Sequence, residues 1–227
     1  LPVKKFDGIG ALLYAVSMLT LMYGLSTITD AGSIFLAGFG LILFAVFVWY
    51  ELRSTHPLLH VRLFFENKRF ARSSYAALLN YAAVYAVTYM VSLYLQSVGQ
   101  LNAAEAGMIM LFQPLIQVVA TPVAGKISDK VDAKYLVTGG MILTIVGLLF
   151  LSGLGLSMTN VAGYIMITQV FIALGAALFS APNTSTIMGS VAPAEYSMAS
   201  SVVSVVRQAG KLISMAVCKA AVSVFVG

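Results

Sequence analysis

Seven apolar runs, over residues 9–28, 34–49, 75–96, 106–124, 136–157, 161–181 and 199–225, decide what this chain can become. A helix needs roughly 20 apolar residues to cross a hydrocarbon layer about 30 Å thick, where no water satisfies a stray backbone N–H or C=O. Charge is correspondingly scarce. Only 9% of the 227 residues are Asp, Glu, Lys or Arg and 60% are hydrophobic, against about 25% charged residues in an ordinary soluble domain. The expectation is an all-α integral membrane protein with about seven transmembrane helices. The second run is the shortest and ends in "VWYELR", where Trp49 and Tyr50 read as an interfacial aromatic anchor. The first run, after "KKFDG", is too long for a signal-peptide core and has no evident small-residue cleavage site, so it is expected to remain as a span.

Ten of the thirteen Lys and Arg lie outside the apolar runs and give the expected orientation. Lys4 and Lys5 precede span one. Arg53, Arg62, Lys68, Arg69 and Arg72 lie between spans two and three, and Lys126, Lys130 and Lys134 between spans four and five. The connections after spans one, three and five ("TDAGS", "SVGQLNAAE", "SMTN") carry none. Basic residues are retained inside, so the chain reads as a multi-pass protein of the cell membrane with a cytoplasmic N-terminus. The net charge of +5 is spread over short connections rather than one surface, which supports the lipid bilayer as a partner and not nucleic acid. The single Cys218 allows no intrachain disulfide.

The stretch "GKISDKVDAKY", residues 125–135, breaks the pattern of sparse charge. Gly125 permits a tight exit from span four, Asp129 can cap or face the start of span five, and Lys130 and Lys134 can pair with it or with acidic lipid. The plainer reading is a pair of snorkelling helix ends.

The same residues resemble the loop motif of the major facilitator superfamily, G-x-x-x-D-[RK]-x-G-x-[RK]-[RK], found once in each half of such a transporter. Gly125, Asp129, Lys130 and Lys134 match, while Asp132 stands at the second glycine and Tyr135 at the last basic position. "FDGIGALLYAVSMLTLMYGLS", "HPLLHVRLFFENKRFARS", "VSLYLQSVGQLNAAEAGMIMLFQPL" and "VAPAEYSMASSVVSVVRQAGKLISMA" are similar to the 14-span drug:proton antiporters of the EmrB/QacA type. In the last stretch Ser214 replaces a glycine and Lys211 stands where a small residue is common. The resemblance implies two peripheral linker helices (1–50), a basic cytoplasmic connector (51–74) and five helices of an incomplete C-terminal six-helix half (75–227). It also implies part of a proton-coupled exporter of amphipathic small molecules that needs its other half, or another chain, because alternating access rocks two halves about a central site. The alternative is a non-transporting membrane subunit or fragment that depends on a partner chain.

In that resemblance spans three, four, six and seven line the central cavity. Span three offers Tyr81, Tyr85 and Tyr89 at four-residue spacing, beside Asn80 and Thr88; the tyrosines can present flat faces and hydroxyls to a lipophilic or cationic ligand. Span four offers Gln113 and Gln117 near Pro114 and Pro122, and span six offers Gln169. For each, interhelical packing or hydrogen bonding is the plainer reading. "GAALFSAPN" in span six reads as a close-packing surface ending in a proline break. Span seven carries Arg207 and Lys211, which a hydrocarbon environment tolerates only with a partner, water, or a path for the charge to snorkel. Gly210, Ser214 and Cys218 make a small-residue stripe open to a close neighbouring helix.

All eight acids, Asp7, Asp30, Glu51, Glu66, Glu105, Asp129, Asp132 and Glu195, fall at span ends or in connections. The titrating group of a proton antiporter is therefore expected in the other half. His56 and His60 have helical spacing, yet Pro57 separates them and no third ligand is near, so interface roles fit better than a metal site. No cofactor motif or catalytic set is visible, so no enzyme chemistry is expected. A seven-span pigment or receptor would need the opposite orientation and, for a retinal counter-ion, an intramembrane acid.

Overall fold

Every expected span forms a helix, and several helices run past the apolar stretch that announces them. The computed structural model describes residues 7–26, 31–54, 62–153 and 160–226. Helix α1 is Gly8–Ser26, α2 Ala31–Arg53, α3 Leu63–Glu66, α4 Lys68–Ser97, α5 Ala103–Met110, α6 Phe112–Ser128, α7 Ala133–Ser152, α8 Val161–Met188 and α9 Tyr196–Val226. A single 3-10 turn, Pro193–Glu195, leads into α9. Among the described residues, seven helical segments are long and apolar enough to cross a membrane, with α5 and α6 together making one of them. Lys4, Lys5, Asp30, His56 and His60 lie outside the described residues.

Local chemistry explains the extensions. Helix α2 continues past Trp49 because Arg53 folds its guanidinium back over the indole, 4.3 Å from the ring centroid, keeping an apolar stem on the helix and a charge at its end. Helix α4 starts at Lys68, ahead of the apolar run, because Asn67 caps it: Asn67 Oδ1 accepts the amides of Arg69 (3.1 Å) and Phe70 (3.0 Å). Asn102 and Glu105 form a capping box at the start of α5, at 2.9 and 3.0 Å, just after Gln100 takes a left-handed φ of 54°.

Proline breaks the helix at one position and not at two others, since α6 and α8 run on through Pro122 and Pro182. Pro114 supplies no N–H to the turn before it, and the chain there breaks at Leu111 into α5 and α6. The proline break expected after "GAALFSAPN" does not occur. Helix α8 continues through Pro182 to Met188. The carbonyl that loses its donor is that of Leu178, and inside a helix bundle neighbouring helices tolerate such a loss.

The chain divides into two compact units, 1–86 with 187–227, and 87–186. In the first, Phe47 of α2, Leu63 of α3, Phe70 of α4, Ile187 of α8 and Ala199, Val202 and Val203 of α9 form one buried cluster. In the second, Val91, Leu95, Ala106, Ile109 and Ile165 form another. Helices α7 and α8 touch closely there: a Cβ on Gly140 would lie 2.7 Å from the Gly175 carbonyl and 2.8 Å from the Phe179 amide, so only glycine fits. Large apolar side chains such as Leu19, Phe35, Val118 and Leu149 are exposed, while Ser17, Thr144, Thr168 and Asn183 are buried. That inversion suits hydrocarbon as the solvent.

Candidate functional site

In the first unit, the small-residue stripe of α9 meets α4. A Cβ on Gly210 would lie 2.7 Å from the Leu78 carbonyl oxygen and 2.9 Å from Tyr81 Cβ, and the Ser214 hydroxyl accepts the Ala86 amide at 2.7 Å. Arg207, Gly210, Lys211, Ser214 and Cys218 recur at three- and four-residue spacing, so they share one face of α9. The close approach brings the two cations to the tyrosines. Arg207 Cζ is 5.6 Å from the Tyr81 ring centroid, and Lys211 Nζ is 6.0 Å from Tyr81 and 5.6 Å from Tyr85. Asn80 is buried beside them on α4, and Tyr85 remains 41% exposed.

Two helix lengths set the depth of this cluster. The apolar span made by the 3-10 turn and most of α9 runs from Pro193 to Val222, thirty residues, and α4 is also thirty residues long. At 1.5 Å per residue each is about 45 Å long, more than the ~30 Å hydrocarbon core. With the helices centred on the bilayer, Arg207 and Lys211 flank the middle of one and Tyr81 and Tyr85 the middle of the other. Lys211 is then about 10 Å inside the nearer edge of the hydrocarbon, farther than a snorkelling stem reaches. A mid-span cation costs at least ~2.5 to 3.5 kcal/mol, whereas a ring face returns about 0.5 to 2 kcal/mol. For Lys211 the tyrosines therefore offset only part of the cost, and water or a counter-charge must supply the remainder.

The second unit gathers the amides. Gln113 of α6 and Gln169 of α8, with Thr88 of α4 and Thr168 of α8, wall a cavity of about 10 Å³, room for about one water molecule. Gln169 is 4% exposed, and its Oε1 has no hydrogen-bond partner. The neighbouring Thr168 hydroxyl is committed to the Tyr164 carbonyl at 3.0 Å. A buried amide oxygen left dry costs ~1 to 3 kcal/mol, which a single water relieves. Gln117 is half-buried one turn beyond Gln113 and does not line this cavity. Tyr89, 37% exposed, lies one turn beyond Tyr85 along α4 and does not line it either. A larger groove of about 660 Å³ on α6, α7 and α8 is walled by Leu115, Val119, Val123, Leu143, Leu174 and other apolar residues, and holds none of the candidate polar side chains.

The charged connection differs from expectation. Gly125 does not mark the exit from span four: α6 continues to Ser128, and Asp129 closes it as C-cap, its amide donating to the Gly125 carbonyl at 3.2 Å. Asp132 takes the N-cap position of α7 without a side-chain bond. Lys134 lies over the Tyr135 ring at 4.7 Å, and no ion pair joins Asp129 to Lys130 or Lys134 among the described residues. All four motif residues are solvent-accessible to some degree, which suits topology-setting charges better than a latch.

One acid escaped the sequence reading. Glu51 sits near the end of α2 as expected, yet it is only 3% exposed. Nearby, Asp7 Oδ1 accepts both the Gly10 amide (2.8 Å) and the Tyr50 hydroxyl (3.3 Å), tying the start of α1 to the end of α2. Hydropathy alone places Glu51 at an interface; only the packing of α1 on α2 buries it.

Comparison with known proteins agrees with this arrangement. A sequence profile described as Major Facilitator Superfamily matches residues 73–225. The riboflavin transporter RibZ of Clostridioides difficile (strain 630) is 30% identical over 207 residues, covering 90% of this chain and 44% of that protein. The multidrug resistance protein Stp of Mycobacterium tuberculosis (strain ATCC 25618 / H37Rv) is 25% identical over 222 residues, 94% of this chain and 40% of that protein. The lincomycin resistance protein LmrB of Listeria monocytogenes serovar 1/2a is 22% identical over 210 residues, 92% and 43% respectively. The chain thus spans less than half the length of these relatives.

Proposed function

Because the chain belongs to the Major Facilitator Superfamily, we propose that it forms one wall of the substrate cavity of a secondary active transporter that exports amphipathic small molecules in exchange for protons. The observation that carries this reading is the pairing of Arg207 and Lys211 with Tyr81 and Tyr85 at the middle of two long helices. A helix that merely packs against lipid has no use for mid-span cations, whereas a water-filled cavity both tolerates and employs them. The names of the multidrug and lincomycin resistance relatives support export of drug-like compounds, and the riboflavin transporter extends the range to a flat aromatic solute.

In this reading the protein works with a further helical portion, on the same polypeptide or on a partner chain, because alternating access needs two bundles to rock about one site. The N-terminus and the turn between α6 and α7 face the cytoplasm of a cell membrane, as the distribution of Lys and Arg favours. The proton-binding group lies in the other portion.

Uptake of a fluorescent amphipathic dye into inverted membrane vesicles tests the reading. The vesicles carry the chain alone, or joined to the N-terminal six-span portion of a relative. Dye is expected to accumulate when a proton gradient is imposed, in the joined form only. Uptake indifferent to the gradient would end the exchange mechanism, and gradient-driven uptake by the chain alone would end the requirement for a second portion.

A further inference from the structure

The tyrosine faces of α4 look at first like a seat for a cationic drug. They are already taken: the cations of Arg207 and Lys211 lie over them, at 5.6 to 6.0 Å. A cationic ligand would meet two like charges at the rings it seeks. We propose that this cluster binds the anionic group of a flat aromatic amphiphile, a carboxylate, sulfonate or phosphate attached to a ring system. The inference rests on the cavity reading above and adds the charge class of the substrate.

Three features of the geometry converge on an anion. Arg207 and Lys211 are one turn apart on the same face of α9, about 6 Å along the axis, so the positive potential of Arg207 adds to that of Lys211 and favours a negative charge beside Lys211. Among the described residues no carboxylate pairs with Lys211, which lies over the two rings. The rings themselves favour the same ligand, because their edges are electropositive and their hydroxyls can donate to an oxyanion. Tyr85, less covered than its neighbours in this cluster, leaves surface against which an aromatic body can stack.

An anionic lipid headgroup offers similar chemistry, but headgroups lie at the membrane surface, and the cluster flanks the middle of both helices. The ligand is therefore a solute that enters the cavity.

The test is equilibrium dialysis with the full chain in phosphatidylcholine nanodiscs, empty nanodiscs serving as the blank. Three probes share one ring and differ in charge: naphthylacetate, naphthylethanol and naphthylmethyl-trimethylammonium. Naphthylacetate is expected to bind at least about tenfold tighter than the neutral alcohol, and the ammonium probe weaker still. Lys211→Gln is expected to abolish the preference for the carboxylate, and Lys211→Arg to keep it, with both variants eluting as the parent does on size exclusion. Equal binding of acid and alcohol, preference for the ammonium, no binding of any probe, or a preference that survives Lys211→Gln would each overturn the proposal. Phosphatidylglycerol added to the nanodiscs is expected to leave naphthylacetate binding unchanged; competition would assign the site to a lipid headgroup and also overturn it. The transport reading stands or falls separately, since gradient-driven dye uptake can persist when binding proves indifferent to charge, and anion-selective binding can persist when no transport is seen.

Discussion

Gly210→Val is expected to remove most of the folded protein recovered after membrane extraction, and to lower the thermal midpoint of what remains. The first atom of any new side chain would lie 2.7 Å from the Leu78 carbonyl oxygen and 2.9 Å from Tyr81 Cβ. The carbonyl belongs to a helix backbone and cannot rotate away, so α4 and α9 must separate. Overpacking typically costs ~1 to 3 kcal/mol, and a clash with backbone belongs at the upper end. Separation would also draw Arg207 and Lys211 off the faces of Tyr81 and Tyr85, so the aromatic-anion preference should disappear with it. Gly139→Val is the control, because a Cβ at Gly139 meets nothing within 4 Å. The two variants melting together in detergent would show that the α4–α9 contact is looser than described.

Phe47→Ala is the second large effect. Its ring is fully buried, 5.5 Å from the Tyr14 ring and 6.0 Å from Phe44, in the cluster shared with Phe70, Ile187 and Val202. Removing a buried phenylalanine costs ~3 to 5 kcal/mol in water-soluble cores. In a membrane the lower end applies, because lipid tails are as apolar as the site and the loss is one of packing contacts rather than of burial from water. The fraction that stays monodisperse after a heating series measures it. Phe35→Ala, on a residue 80% exposed, should melt with the parent. Equal losses from both would contradict the assignment of Phe47 to the core of its unit.

These expectations could be reached from the amino-acid order only in part. The seven spans were legible because twenty apolar residues in a row admit few other fates, and the stripe of Gly210, Ser214 and Cys218 announced a close neighbour. Which helix would be that neighbour was not legible, so the tyrosines and the cations were read separately, each with packing or snorkelling beside a ligand role, until α4 and α9 were seen together. The start of α4 was hidden because Lys68, Arg69 and Arg72 read as a connector, although Asn67 carries the chemistry of a cap. Pro182 read as a stop because its effect depends on how the surrounding helices pack, which is a tertiary matter. Gln113 and Gln169 were each visible, but the cavity they share is made by helix packing. Glu51 stands near the end of its helix as its position requires, and nothing in hydropathy distinguishes a buried helix end from a wet one.

Thiol labelling with a charged, membrane-impermeant reagent tests the central claim most directly: a membrane-spanning chain whose lysine-bearing turn faces the cytoplasm and whose mid-span lysine faces water. Cys218 is first replaced, and Lys130→Cys and Lys211→Cys are made separately in that background. Lys130→Cys should react in inverted vesicles and not from outside intact cells, while Lys211→Cys should react despite its depth. Labelling of Lys130→Cys from the cell exterior, or a Lys211→Cys that stays unreactive from both faces, would contradict the account.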